Sequence, residues 1–219
     1  MTLVEPGHSA LMDRVYRNQR HVYDLTRRYY LLGRDRLIAG LNAKPGMSVL
    51  EVGCGTGRNL VAASRSFPRA AFYGMDISSE MLATARSAVC KARLEQRVSL
   101  AQGDATDFDP GLAFGVSGFD RIFMSYTVSM IPVWREAIEQ AMRNLAPGGS
   151  LHIVDFGQQE QLPGFFRIIL FAWLRWFHVA PRAALREVLQ EIAETHGATL
   201  DFQPLHRGYS WLAVLHRRP

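Results

Sequence analysis

Three glycines and three acids between residues 48 and 104 are the groups in this chain best placed to do chemistry. An apolar run, Val49, Leu50 and Val52, ends in alternating glycines at Gly53, Gly55 and Gly57. A helical pattern follows. This spacing predicts a strand, a tight turn completed by Thr56, and a helix, with bare backbone facing a ligand. Glu51 sets a carboxylate beside the turn. That charge repels a pyrophosphate and suits a cationic ligand. The dinucleotide pattern asks for a third glycine where Arg58 stands, which argues against a dinucleotide. Asp76 ends a second apolar run about twenty residues past the turn, the spacing of an acid that accepts from ribose hydroxyls. Asp104 follows a third run, Val98 to Gln102.

Elements that alternate along the chain must position these groups. The pattern predicts strands at 48–53, 71–76, 97–102, 119–124 and 150–155, with helices at 57–66, 79–92 and 133–145 between them. Such alternation predicts a parallel sheet covered on both faces. Segment 106–118 is too short and too glycine-rich for a crossover helix, so a loop or single turn is expected. Ser78 or Ser79 caps the helix after Asp76. A further helix is expected at 181–196, opened by Pro181 and closed by Gly197. Runs 199–204 and 209–216 read as a final hairpin. Ahead of the core, residues 10–41 read as one or two amphipathic helices, with Gly33 separating them or marking a turn.

The glycine turn with its acid resembles motif I of class I S-adenosylmethionine-dependent methyltransferases. Phe119 to Ser125, with Tyr126 at the exit, and Leu145 to Leu151 resemble later motifs of that family in order. The resemblance implies an α/β Rossmann-like fold with a seven-stranded sheet, mostly parallel with an antiparallel last strand. It also implies helices on both faces and an N-terminal helical lid over residues 10–41, within a single domain spanning 1–219. S-adenosylmethionine is the implied cofactor. Its methionine and ribose parts pass Gly53, Gly55 and Gly57, and Asp76 accepts from the ribose. Asp104 accepts from the adenine amine, with the Ala105 N–H nearby and Ile77 and Met81 flanking the ring. Ser125, Tyr23 and Arg34 complete the expected cofactor contacts.

Residues 23–37, from Tyr23-Asp24 to Leu37, are also similar to the segment before motif I in quinone C-methyltransferases. The pair Tyr29-Tyr30 and the run Leu31-Leu32-Gly33-Arg34-Asp35-Arg36 more closely resemble bacterial methyltransferases of betaine-lipid synthesis. That resemblance implies N-methylation of diacylglyceryl-homoserine to the trimethylated betaine lipid. Phosphatidylethanolamine is a rival acceptor, and a soluble methyltransferase for a small molecule or RNA is the alternative class. The nucleophile must present a lone pair, so candidate proton acceptors are Tyr126, His152, His178 and Tyr30. Tyr29, Tyr30, His178 and Arg182 are expected to line the acceptor side. The lid tyrosines would stabilise a cationic product through their faces.

The rest of the composition bounds the partners. The chain has 219 residues, is 48% hydrophobic and carries a net charge of +5. Residues 13–36 hold seven arginines against three aspartates. This balance suits an anionic membrane surface. Nucleic acid is disfavoured, since no paired array of basic and stacking residues is seen. Residues 160–180 form an apolar, aromatic insertion interrupted by Arg167 and Arg175. A membrane span tolerates such charges poorly, whereas an interfacial helix accepts them. Only two cysteines are present. Cys54 is expected to pack in the turn rather than to act as a nucleophile, and no Cys/His cluster has zinc spacing. No signal-peptide pattern or spanning segment is seen, so the expected location is cytoplasmic, peripheral to the inner face of the membrane.

Overall fold

The computed structural model describes residues 31–177 and 179–219. Strands β1 (Ser48–Val52), β2 (Ala71–Asp76), β3 (Val98–Gln102), β4 (Phe119–Ser125) and β5 (Leu145–Phe156) run parallel. Strands β6 (Thr199–Leu205) and β7 (Ser210–His216) complete one seven-stranded sheet of order β3-β2-β1-β4-β5-β7-β6. β7 lies antiparallel to both neighbours. The helices are α1 (Arg34–Gly40), α2 (Arg58–Ser66), α3 (Ser79–Lys91), α4 (Pro110–Phe114), α5 (Trp134–Arg143), α6 (Gly164–Trp176) and α7 (Leu185–Thr195). This is the Rossmann-like arrangement expected, with the antiparallel strand inserted beside β5. Segment 106–118 yields only the one-turn helix α4. Of the expected lid, residues 10–30 lie outside the described residues.

Alternation within the strands builds two cores. Val49, Phe72, Phe123 and Val154 face one side of the sheet, packed with Leu37 of α1 and Leu60 of α2. Leu50, Ile122, Met124 and Leu151 face the other, packed with Ile138 of α5 and Leu189 of α7. Central strands buried on both sides need apolar residues at every position, which is why β1 and β4 read as nearly continuous apolar runs. Arg121 is a polar exception on β4. Its Nε donates to the Leu41 carbonyl at 2.9 Å and ties the end of α1 to the sheet.

Local chemistry sets the boundaries. Ser78 caps α3, its hydroxyl accepting from Met81 N–H at 3.3 Å. Gly33 adopts φ 89 as the residue before α1, and a Cβ there would lie 2.8 Å from Leu205. Two expectations are corrected. α7 begins at Leu185, four residues after Pro181. Ala180 N–H bonds the Ser129 carbonyl, and Arg182 bonds the loop 128–131, so that stretch is held outside the helix. β5 starts at Leu145 rather than 150, because Leu145 pairs with Phe119 before the register shifts.

The order of β1 and β4 reverses the winding of the sheet. In open parallel sheets that reversal opens a crevice at the carboxyl ends of the strands, where ligands bind. The glycine turn leaves β1 at this point.

Ile122 is fully buried between β1 and β5. Ile122→Ala is expected to cost about 2–5 kcal/mol. Urea unfolding of both proteins under the same conditions checks this.

Candidate functional site

The turn after β1 is held by backbone bonds. Gly53 and Cys54 both donate to the Met75 carbonyl, at 2.8 and 2.9 Å. Gly53, Gly55 and Gly57 have φ of 70, 52 and 75, a region costly for residues with a Cβ. A Cβ on Gly53 would lie 2.3 Å from Thr127 Cγ2. Glycine at 53 therefore lets the exit of β4 approach the turn, a packing need the motif alone does not show. A Cβ on Gly57 would meet Ala85 at 3.0 Å, so this glycine seats α2 on α3.

Asp76 ends β2 and braces the turn. Its Oδ2 accepts from Gly55 N–H at 2.7 Å and its Oδ1 from Ser78 N–H at 3.0 Å. Glu51 is buried, with Oε1 accepting from Asn59 Nδ2 at 2.7 Å. Asp104 takes both Thr106 donors on Oδ1, at 2.9 and 2.8 Å; among the described residues no hydrogen bond reaches Oδ2. Thus three carboxylates stand at or beside the carboxyl ends of three neighbouring strands. Their chemistry fits a ligand rich in hydroxyl and amine donors and carrying positive charge. It opposes a phosphate.

The remaining expected cofactor residues fall around this frame. Ile77 is half-buried, and its carbonyl accepts from Gln102 Nε2 at 3.0 Å. Met81 is buried at the first turn of α3, and Ala105 is half-buried against the second core. Ser125 is buried, and its hydroxyl has no partner among the described residues. Thr56 and Arg34 line a groove of about 530 Å³ with Arg58, Arg65 and Lys91. Arg34 also pairs with Asp35 at 3.0 Å. Tyr23, Tyr29, Tyr30 and His178 lie outside the described residues.

Two of the candidate proton acceptors, Tyr126 and His152, and one residue expected on the acceptor side, Arg182, act as struts in the fold. The Tyr126 hydroxyl donates to the Leu32 carbonyl, and its buried ring meets Phe156 edge-on at 4.7 Å. Burial pushes this phenol up, with the Ser210 bond opposing. It anchors the chain ahead of α1 rather than offering a base. His152 is buried in mid-strand, its Nε2 2.8 Å from Ser150 Oγ. Burial lowers its pKa to about 3, with Arg121 and His216 adding to the effect. It is a neutral core residue set back from the strand exit. Arg182 donates to the carbonyls of Ile131 at 2.6 Å and Val128 at 3.3 Å, which makes it a clamp on the β4 exit loop.

Asp155 and Thr127 were not singled out in the sequence. Asp155 Oδ2 accepts from Ser129 N–H at 2.9 Å, and Oδ1 from Phe156 N–H at 2.7 Å. Burial raises its pKa, while the bonds from Ser129 and Phe156 and nearby Arg182 oppose the rise. An acid in the apolar strand 150–156 was the available signal. Thr127 fills the space left by Gly53. Cys54 is buried, and burial with Asp76 and Glu51 nearby pushes its thiol up, which suits packing and not nucleophilic attack. No group of three or more possible metal ligands occurs among the described residues.

Residues 49–149 match the family model described as a methyltransferase domain. Over 130 residues the chain is 36% identical to a phosphatidylethanolamine N-methyltransferase of Cereibacter sphaeroides, covering 59% of this chain and 60% of that protein. Over 133 residues it is 26% identical to a demethylmenaquinone methyltransferase of Desulfitobacterium hafniense, covering 60% of this chain and 51% of that one. It thus spans between half and two thirds of these relatives' length. A solved structure of Haemonchus contortus phosphoethanolamine N-methyltransferase 2, in complex with S-adenosyl-L-methionine, superposes with TM-score 0.67. That match has 18% identity and covers 85% of this chain and 52% of the other. Residues 49–149 are thus similar to a methyltransferase domain, carried on a Rossmann-like sheet of the same fold as a methyltransferase solved with S-adenosyl-L-methionine.

The folded pKa of His152 lies below its ordinary value of 6.5, so between the two values the unfolded chain binds the extra proton. Stability should be undiminished above pH 6.5 and fall as pH drops toward about 3. The slope should approach about 1.4 kcal/mol per pH unit. His152→Asn should flatten it. Urea unfolding across that range checks the sign.

Proposed function

We propose that the chain transfers methyl groups from S-adenosylmethionine to the amine of a lipid head group, as a cytoplasmic protein peripheral to the inner face of the membrane. The observation that carries the cofactor half is the set of carboxylates, Glu51, Asp76 and Asp104, at or beside the carboxyl ends of three neighbouring strands. When bound, S-adenosylmethionine supplies an activated methyl group on a sulfonium.

The chain's own residues then do the binding. Asp76, fixed by Gly55 and Ser78, accepts from the ribose hydroxyls. The outer oxygen of Asp104 accepts from the adenine amine, beside the Ala105 N–H. Ile77 and the edge of Met81 flank the ring. Gly53, Gly55, Thr56 and Gly57 run along the methionine and ribose parts, Glu51 offsets positive charge, and Ser125 supplies its buried hydroxyl. Arg34 and Tyr23 hold the cofactor's remaining polar end. Tyr29, Tyr30 and His178 flank the acceptor, and Tyr30 and His178 are the remaining candidates for taking its proton. Arg182 contributes by holding the exit loop of β4 in place. The protein's main work is to position reactants and exclude water, because the donor is already activated.

Diacylglyceryl-homoserine is the acceptor favoured by residues 23–37. Phosphatidylethanolamine is the second reading, supported by the 36% identity to an enzyme of that name. Both present a primary amine on a diacyl lipid, so one site chemistry serves either. The chain should therefore label one of these lipids when given isotopically labelled cofactor and vesicles containing it. Mass spectrometry of the products, with demethylmenaquinone vesicles as a third arm, separates the acceptors. Label in the quinone alone, or in none, rejects the head-group reading. Asp76→Asn keeps the side-chain shape while removing its charge. It should weaken cofactor binding by about ten- to a hundred-fold in calorimetric titration.

A further inference from the structure

Helix α6 is apolar on two sides. Leu170, Trp173, Leu174 and Phe177 pack toward the core that holds Val154 and Phe156. Phe165, Ile168, Ile169, Ala172 and Trp176 recur at helical spacing on the opposite side and face solvent. Their exposure is high: 67% at Phe165, 69% at Ile168, 64% at Ile169 and 76% at Trp176. A contiguous stripe of this kind marks an interaction surface rather than scattered surface residues.

The chemistry around the stripe selects the partner. Arg167 and Arg175 lie two turns apart and line a groove of about 430 Å³ with Ile168, Phe171, Val179 and Pro181. The helix carries no acidic residue. Its 13 residues are too few to cross a bilayer, which takes about twenty. An aromatic and aliphatic face flanked by arginines suits the boundary between acyl chains and phosphates. A second copy of the chain packed on the same face would set these arginines against their own kind. The surface is also continuous with the candidate site: Ala180, in the groove wall, donates to the Ser129 carbonyl at 2.9 Å on the β4 exit loop.

We propose that the exposed face of α6 docks the protein on an anionic phospholipid bilayer. Phe165, Ile168, Ile169 and Trp176 enter the acyl boundary, and Arg167 and Arg175 meet lipid phosphates. Docking there places the β4 exit loop beside the membrane surface. The inference rests on the lipid head-group reading for its purpose, but its test is independent.

The test is flotation with vesicles of phosphatidylcholine alone or mixed with phosphatidylglycerol. The protein should float with the mixed vesicles, and less so as salt rises. Arg167→Gln with Arg175→Gln should weaken that binding by about five-fold per arginine. Ile168→Asp with Ile169→Asp should leave the protein in solution, with cofactor affinity unchanged by calorimetry. The aspartate pair should keep activity on lipid in detergent micelles and lose at least nine tenths of it on vesicles. A wild-type protein that stays in solution with mixed vesicles overturns the proposal. So does an aspartate pair that floats like wild type, or a wild-type dimer that this pair dissociates in sedimentation. Flotation without methylation of either amine lipid rejects the head-group reading and leaves the docking surface standing. Methylation in micelles without flotation does the reverse.

Discussion

A carboxylate held between two backbone N–H groups joins the glycine turn to the second strand, and the candidate site depends on it. Asp76 receives Gly55 from one side and Ser78 from the other. Charge-assisted bonds of this kind are stronger and shorter than neutral ones. They fix a turn that otherwise has considerable freedom, because its glycines occupy φ values open to few residues. The same carboxylate accepts from the N–H of Ser78, the N-cap of α3, just ahead of the helix N-terminus, where negative charge is favoured. Position and charge are therefore set before any ligand arrives. A site assembled this way spends little of its binding energy on ordering.

The opposite wall is built differently. The loop leaving β4 is tied down by side chains from remote segments: Tyr126 reaches back to Leu32, Asp155 holds Ser129, and Arg182 grips the carbonyls of 128 and 131. Asp155 is buried and anionic chemistry there is costly, yet its oxygens are met by two backbone donors with Arg182 nearby. This arrangement couples three segments to one loop. The stretch before α1, the end of β5 and the connection between α6 and α7 all converge on it. A shift in any one is felt where β4 ends.

These contacts explain what was legible in the sequence. The sheet was legible because buried parallel strands demand apolar residues at every position, and glycine turns with terminal acids punctuate them. The serine pair 78–79 announced a cap, which the fold gives to Ser78, and Gly197 the end of α7, where it takes φ 61. Polar residues at strand exits were harder. Tyr126, Arg182 and Asp155 look alike in a sequence whether they face a crevice or a backbone carbonyl. Only the folded chain shows that Tyr126 reaches Leu32 and Arg182 reaches 128–131. His152 misled for a related reason, since an imidazole in an apolar run signals either a base or a satisfied core group. The start of α7 moved because tertiary bonds from Ala180 and Arg182 outweighed the helix-opening preference of Pro181.

The division between shared frame and variable rim also bears on acceptor choice. The methyltransferase match ends at residue 149, and it includes the glycine turn, Asp76 and Asp104. Relatives that align at similar length carry names of lipid-amine and quinone methyltransferases alike. The frame serves a common donor, so discrimination between acceptors has to arise in segments that vary around it. Two such segments flank the β4 exit: the stretch leading into α1 and the stretch from Gly157 through Arg182. The second contains α6, whose 13 residues carry apolar side chains on two sides and arginines along an edge. A quinone ring and a lipid amine make opposite demands there. The first asks for a wholly apolar pocket, and the second for a route that keeps a polar head near water while its chains stay in hydrocarbon. On the proposed reading, an amphipathic surface joined by Ala180 to the exit loop would meet the second demand, because acyl chains could stay in the bilayer while only a head group left it.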